Sequence, residues 1–73
     1  MIKLDQINVG QEATLCSISG GRGIRAKLYS LGLIPGTRFK ILSRNGVGPV
    51  MISVRGSRLA IGRGMAEKLN VNL

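Results

Sequence analysis

Residues 28–37 have the sequence LYSLGLIPGT, which predicts the end of a helix followed at once by a tight turn. Gly32 is placed to adopt the left-handed conformation just after the helix, and Leu33 can then fold back onto Leu28, as in a Schellman cap. Residues 34–37 carry Pro second and Gly third, the preference of a type II turn, because Pro fixes φ and Gly accepts positive φ. The chain is therefore expected to change direction sharply here.

An amphipathic helix is predicted just upstream, over residues 23–31. Ile24, Leu28 and Leu31 fall at i, i+4 and i+7, so they form one apolar stripe. Before the helix, residues 11–18 alternate imperfectly between apolar and polar types, which predicts a strand that contains a β-bulge.

Period-two alternation predicts the strands downstream of the turn. Phe39 and Ile41 face inward and the cationic residues beside them face outward, which gives a half-buried strand over residues 38–42. The later strands are expected at residues 50–54, 59–61 and 69–73.

The connections between these strands carry their own signals. Asn45-Gly46 favours a type I′ hairpin, and Gly56-Ser57 favours a type II′ hairpin because Gly comes first in a two-residue loop. Residues 62–68 have room for about one helical turn, expected to be 3₁₀. Residues 4–9 are expected to form an irregular opening segment.

These elements predict a mainly β fold: a small SH3-like barrel of about five strands, with one helix after the first strand and a short helical turn before the last. The chain has 73 residues. A chain of that length buries only roughly 60 % of its unfolded surface, so one domain over residues 1–73 is expected.

The chain carries no signal for export or membrane insertion. Nowhere do about 18 apolar residues follow one another, and residues 1–10 lack a charged region followed by an apolar run. Cys16 is the only cysteine, so no internal disulfide forms and a reducing compartment fits best. A cytoplasmic protein is expected, and nothing in the sequence indicates its oligomeric state.

The chemistry of an enzyme or of a metal site is largely missing. The chain has no histidine and only 3 carboxylate residues, Asp5, Glu12 and Glu67. The commonest general base and the commonest metal ligand are therefore absent, and the carboxylates are too scattered for a calcium loop. We expect no catalytic residues, no cofactor and no metal ligands, and Cys16 is expected to be a packed thiol rather than a ligand or nucleophile.

A glycine-rich motif precedes the predicted helix. Residues 21–26 match G-x-G-x-x-A after a strand and before a helix, where a dinucleotide-binding fingerprint would lie. The reading is rejected because no Asp or Glu follows about 20 residues later and no second βαβ unit is predicted. A cationic helix N-terminus at Gly21, Arg22, Gly23 and Arg25 could still attract an anion, with a solvated loop as the alternative.

The net charge of +8 makes nucleic acid the obvious alternative partner. The distribution of the charge argues against it, because no dense run occurs and only Tyr29 and Phe39 could stack on bases. The cations fall in three dispersed groups: Arg22-Arg25-Lys27, Arg38-Lys40-Arg44 and Arg55-Arg58-Arg63.

The segment Leu28-x-x-Leu31-Gly32-Leu33-Ile34-Pro35-Gly36 resembles the signature of the FeoA family, the small SH3-like proteins encoded beside the FeoB ferrous iron transporter. Further similar positions, from Leu4 to Val71, extend the resemblance over essentially the whole chain. The sequence departs from the family pattern at Gly62-Arg63-Gly64, where a less glycine-rich segment is expected. Metal binding is associated with the family, but no residue of this sequence can be named as a ligand for it.

The resemblance implies a small cytoplasmic accessory protein of ferrous iron uptake, which binds the cytoplasmic part of a FeoB-like transporter and modulates it. A peripheral position at the inner face of the membrane is compatible with such a partner. The same domain occurs at the C-terminus of iron-dependent repressors, so a free-standing domain of the metal-regulator type remains an alternative. A basic barrel that binds nucleic acid is the other.

The contact residues predicted for such a partner lie on the helix and in the turn after it. Exposed cationic and aromatic groups, and apolar groups left uncovered, are the usual anchors of an interface. For Leu33 and Ile34, packing in the core or the cap is an equal alternative. The predicted partner-binding residues are Arg22, Arg25, Tyr29, Leu33, Ile34 and Pro35.

Overall fold

The computed structural model describes residues 2–44 and 46–73, so the hairpin predicted at Asn45-Gly46 lies partly outside the described residues. No helix in this part of the chain is long and apolar enough to cross a membrane. The elements in chain order are β1 (Ile2–Lys3), a 3₁₀ turn (Leu4–Gln6), β2 (Glu12–Ile18), α1 (Arg22–Ser30), β3 (Arg38–Arg44), β4 (Val50–Val54), β5 (Ser57–Ile61), α2 (Arg63–Ala66) and β6 (Leu69–Asn72).

The strands form one six-stranded sheet in the order β1-β6-β2-β3-β4-β5, and every neighbouring pair is antiparallel. The predicted mainly β architecture is confirmed, with one strand more than expected. The extra strand is β1, where Ile2 lies opposite Val71 of β6. Of the segment predicted to be irregular, residues 4–9, the first three form the 3₁₀ turn and the rest contain no helix or strand.

The core lies on the inner face of the sheet and follows the predicted alternation. In β4, Val50, Ile52 and Val54 are buried, and in β3 Phe39 and Ile41 are buried. Register shifts mark bulges in two strands, one between Leu15 and Ser17 and one between Ile41 and Ser43. The first confirms the bulge predicted in β2. Both bend the sheet around the core, because a bulge increases local twist.

The end of α1 is a Schellman cap, as predicted. The amide of Leu33 donates to the Leu28 carbonyl at 3.0 Å, and the amide of Gly32 donates to the Tyr29 carbonyl at 3.0 Å. Gly32 has φ +92°, and both leucines of the cap are fully buried. Leu31, expected on the inward stripe, is instead 42 % exposed. Leu33 folds back onto Leu28 and fills the core position beyond the helix end, which leaves Leu31 outside.

The predicted type II turn is also present and is tied to β2. The amide of Thr37 donates to the Ile34 carbonyl at 3.0 Å, and Gly36 has φ +94°. Gly36 also donates to the Leu15 carbonyl at 2.8 Å, while the amide of Leu15 donates to the Thr37 carbonyl at 2.8 Å. The two hydrogen bonds to Leu15 therefore hold the turn against β2.

The hairpin between β4 and β5 differs from the prediction. Val54 lies opposite Ser57, so the two-residue loop is Arg55-Gly56, with φ +50° and +82°. Two positive φ values define a type I′ turn, and the predicted type II′ turn at Gly56-Ser57 is wrong. The inward alternation of β4 fixes the register, which moves the loop back by one residue.

Arg55→Asn is expected to stabilise the protein by about 0.5–1 kcal/mol, because Asn tolerates the left-handed conformation that costs most other residues about 1–2 kcal/mol. Urea unfolding monitored by circular dichroism measures the change. Arg58→Asn is the matched control, since it removes the same charge from an exposed β5 position and should bring no gain. Equal stabilisation by both variants would assign the effect to charge removal instead.

The segment before β6 is α-helical at its centre. The amide of Ala66 donates to the Gly62 carbonyl at 2.9 Å and that of Glu67 to the Arg63 carbonyl at 3.2 Å, both i to i−4 bonds. The prediction of a 3₁₀ turn is therefore wrong here. Ala66 is fully buried, and its packing in the core supports the extra helical bond despite the flanking glycines.

Candidate docking surface

The outward side of α1 forms a shallow concavity of about 370 Å³, lined by Arg22, Arg25, Ala26 and Tyr29. We call these four residues the helix surface. They fall at i, i+3, i+4 and i+7, so one side of a helix presents them together. All four are exposed, and Tyr29 as a whole residue is 43 % exposed. Three residues of this surface, Arg22, Arg25 and Tyr29, were predicted as contact residues.

The helix surface is strongly positive. The first turn of α1 contains no acidic residue, and Gly21 at its N-cap provides no side-chain cap. Among residues 2–44 and 46–73, the guanidinium groups of Arg22 and Arg25 take part in none of the side-chain hydrogen bonds, and the one ion pair joins Arg38 to Glu12. The helix dipole adds positive potential at this end of α1. The arrangement suits a partner that carries carboxylates.

The turn after α1 separates the predicted contact residues into two classes. Ile34 is 41 % exposed and Pro35 is exposed, so both can be touched by a partner. Leu33 is fully buried, and its side chain is removed from the predicted surface because the Schellman cap turns it into the core. Leu31, which the sequence pattern assigned to the core, takes its place as an exposed apolar group at this end of the helix.

Thr37 holds the backbone between the helix and the turn. It is the one polar residue among the buried positions of the described chain, with 4 % exposure. Its hydroxyl donates to the Gly32 carbonyl at 3.3 Å and accepts from the Ile34 amide at 3.3 Å. Together with the bonds to Leu15, these contacts fix the backbone that carries Ile34. A surface fixed before binding loses less conformational entropy when a partner docks.

Two arginines outside α1 donate hydrogen bonds to backbone carbonyls. Arg44 donates to the carbonyls of Ile7 and Asp5, and Arg63 donates to the Gly46 carbonyl at 3.1 Å. Both arginines therefore tie loops together.

The sheet brings closer two basic residues that are far apart in the sequence. Lys40 lies opposite Ser53, and Ser53 lies opposite Arg58.

The described residues contain no group of three or more His, Cys, Asp or Glu side chains that could hold a metal ion. Cys16 is half-buried at the bulge of β2, and its Sγ lies 3.8 Å from the Thr14 carbonyl oxygen. The antiparallel pairing of β2 with β3 removes the structural context of the dinucleotide fingerprint, which requires a parallel crossover. The helix surface itself is lined by two arginines, an alanine and a tyrosine.

Comparison with known proteins gives a consistent result. The model of the FeoA domain family matches residues 2–73. The chain is 44 % identical over 62 residues to Fe(2+) transport protein A of Methanocaldococcus jannaschii, an alignment that covers 85 % of this chain and 74 % of that protein.

Solved structures agree with the sequence match. The crystal structure of an iron uptake regulatory protein, FeoA, is similar with a TM-score of 0.91 and 38 % identity, and the match covers 97 % of this chain and 95 % of that one. FeoA of Stenotrophomonas maltophilia, solved in complex with zinc and described as a prokaryotic SH3 domain protein, has a TM-score of 0.83 at 19 % identity, over 99 % and 91 % of the two chains. These matches confirm the predicted SH3-like fold.

Proposed function

Because the chain belongs to the FeoA domain family, we propose that it is an accessory protein of ferrous iron uptake that docks on the cytoplasmic part of a FeoB-like transporter. It acts by binding and modulates the transporter without catalysing a reaction. This places the protein in the cytoplasm, at the inner face of the membrane whenever its partner is bound. The relatives named for iron transport support the pathway, and the helix surface supports the mode of action.

The observation that carries the docking proposal is the set of unneutralised charges on the outward side of α1, which is followed by a turn whose backbone is fixed by hydrogen bonds. Arg22 and Arg25 present charges that no ion pair among the described residues neutralises. Tyr29 lines the same concavity as the two arginines, and Leu31 and Ile34, which follow it in the chain, are also partly exposed. A central aromatic or apolar group with arginines around it is the usual composition of an interface hot spot.

Calorimetric titration tests the proposal directly. The intact protein is titrated with the purified cytoplasmic region of a FeoB-like transporter, and separately with random RNA, at low and at physiological salt. Saturable binding to the transporter that persists at physiological salt is the expected result, since a partly apolar interface depends less on screening than phosphate contacts do. Binding to RNA alone, lost at higher salt, would transfer the protein to the nucleic-acid class.

Arg25→Glu is expected to weaken binding to the transporter region at least about tenfold, because it places a carboxylate where the partner's carboxylates would lie. Lys27→Glu is the matched control. It makes the same charge change on the same helix, at an exposed position outside the helix surface, and should reduce the affinity by less than about threefold. Equal losses in both variants would show that only net charge matters and would remove the helix surface from the interface.

A further inference from the structure

Among residues 2–44 and 46–73, β5 is the last strand in the sheet order, and no other strand of this part of the chain pairs with its outer edge. Within the part of the chain that the structure describes, no backbone hydrogen bond links residues 57–61 to any segment outside the ladder with β4. An edge of this kind presents unpaired N–H and C=O groups, to which another extended chain can bond.

The register identifies which residues hold those free backbone groups. Val54 and Ser57 flank the two-residue loop and form its closing pair, which exchanges hydrogen bonds. Hydrogen-bonded and non-bonded pairs then alternate along the ladder. The N–H and C=O groups of Arg58 and Ala60 therefore point away from β4. Both residues are exposed, so an incoming strand can reach them.

The face of the sheet beside this edge is cationic. Glu12 of β2, Lys40 of β3, Ser53 of β4 and Arg58 of β5 form one cross-strand row. The carboxylate is at the end far from β5, and the backbones of Lys40 and Arg58 are separated by about 10 Å, two strand spacings. Arg38 lies two residues before Lys40 on the same face. Its ion pair with Glu12, at 3.7 Å, joins two groups that are both more than half exposed, so it neutralises little charge.

We propose that the β5 edge binds an extended acidic segment of a partner protein, which adds to the sheet as a seventh strand. The backbone groups of Arg58 and Ala60 hydrogen-bond the segment. Its outward residues, one strand spacing from β5, are carboxylates that Arg58 attracts, while its inward residues lie beside the half-buried Leu59. This inference does not depend on the helix surface, because it concerns a different element and a different face.

Charge and composition favour this occupant over the alternatives. A second copy of the chain pairing antiparallel through β5 would bring two Arg58 side chains onto the same face, either directly opposite each other or two residues apart, which is unfavourable for like charges. A nucleic acid would need bases to stack, but Phe39 is only 3 % exposed and Tyr29 lies on α1. Only a peptide can satisfy the free backbone groups and the cationic row at the same time.

The test uses a fluorescently labelled eight-residue peptide of alternating Glu and Val as the probe, titrated into the intact protein and followed by polarisation. The control peptide has the same sequence with alternate backbone nitrogens methylated, so it keeps the charge and loses the strand-forming donors. Arg58→Glu is expected to weaken binding of the unmethylated peptide at least about tenfold. Lys27→Glu, with the same charge change on α1, should leave the affinity within about threefold.

Nuclear magnetic resonance locates the contact. Slowed amide exchange at residues 58 and 60 when the peptide is added, and loss of binding on methylation, are the expected results. Equal affinity for the two peptides, tighter binding of an oligothymidylate probe, or no binding of the acidic peptide would each overturn the proposal. Arg25→Glu should not affect this peptide, so failure here and failure of the transporter docking are distinguishable.

Discussion

Replacing Leu33 by Ala is expected to lower the free energy of unfolding by about 3 kcal/mol, because truncating a fully buried leucine removes apolar contacts and leaves a cavity. Leu33 has no exposed surface and belongs to the same core cluster as Leu28, which is equally buried. For a domain of this size the loss corresponds to a decrease of roughly 12–24 °C in melting temperature. Thermal unfolding followed by circular dichroism measures it.

Leu31→Ala provides the matched control, since the same side chain is removed two residues earlier. Leu31 is 42 % exposed, so its truncation should cost less than about 1 kcal/mol. If Leu31→Ala destabilised the protein as much as Leu33→Ala, the simple helical stripe would be the correct description and the folded-back cap would be wrong.

Arg44→Ala is expected to cost about 2 kcal/mol and to loosen the opening segment of the chain. The guanidinium donates to the Ile7 carbonyl at 2.8 Å and to the Asp5 carbonyl. Hydrogen bonds that involve a charged group contribute roughly 1.5–3 kcal/mol. These bonds join the end of β3 to the 3₁₀ turn, so native-state hydrogen exchange should accelerate at Ile7 before it changes in β4.

Arg38→Ala separates this effect from the general removal of an arginine. Arg38 is also on β3, but its contacts lie at the surface. It donates to the Thr14 hydroxyl at 3.1 Å in an exposed hydrogen bond, and its ion pair with Glu12 spans 3.7 Å between side chains that are 55 % and 58 % exposed. Such surface pairs contribute about 0–1 kcal/mol. Similar destabilisation by both substitutions would mean that the carbonyl contacts of Arg44 add nothing, and that net charge governs stability.

The turns next to α1 could be predicted from the sequence because their chemistry is local. Glycine, the residue at position 32, accepts the left-handed conformation at the lowest cost. Pro35 and Gly36 favour a type II turn, because Pro fixes its own φ and Gly accepts a positive φ. The inward alternation in β3 and β4 was equally visible, since it repeats over several residues. In each case the residues that determine the structure are adjacent in the chain.

Features that depend on distant pairing could not be predicted in this way. The strand β1 has two residues, Ile2–Lys3, too few for a period, and it exists because β6 lies beside it. The hairpin turn contains an arginine at positive φ, Arg55, which turn preferences alone would not select. The alternation of buried and outward residues in β4 sets the register of the hairpin, and the register sets the position of the loop. Packing therefore outweighs local turn preference here.

The candidate surfaces show the same division. Arg22, Arg25 and Tyr29 were predicted because a helix places them on one side. The exchange of Leu31 for Leu33 was missed because it requires knowing how the chain folds back after the cap. The row of Lys40, Ser53 and Arg58 was missed because it exists only once the registers of three strands are known. Residues that are dispersed in sequence thus became neighbours across the sheet.

The place of β6 in the sheet also determines when this domain can fold during synthesis. β6 lies between β1 and β2, and its Leu69 and Val71 have no exposed surface. While residues 69–72 of a nascent chain are still inside the ribosome, β1 has no partner and one edge of β2 is unpaired. A long loop must then close before Leu15 meets Val71. The sheet is complete only once this strand has joined it, and until then chaperones or aggregating chains can bind the unpaired edge of β2.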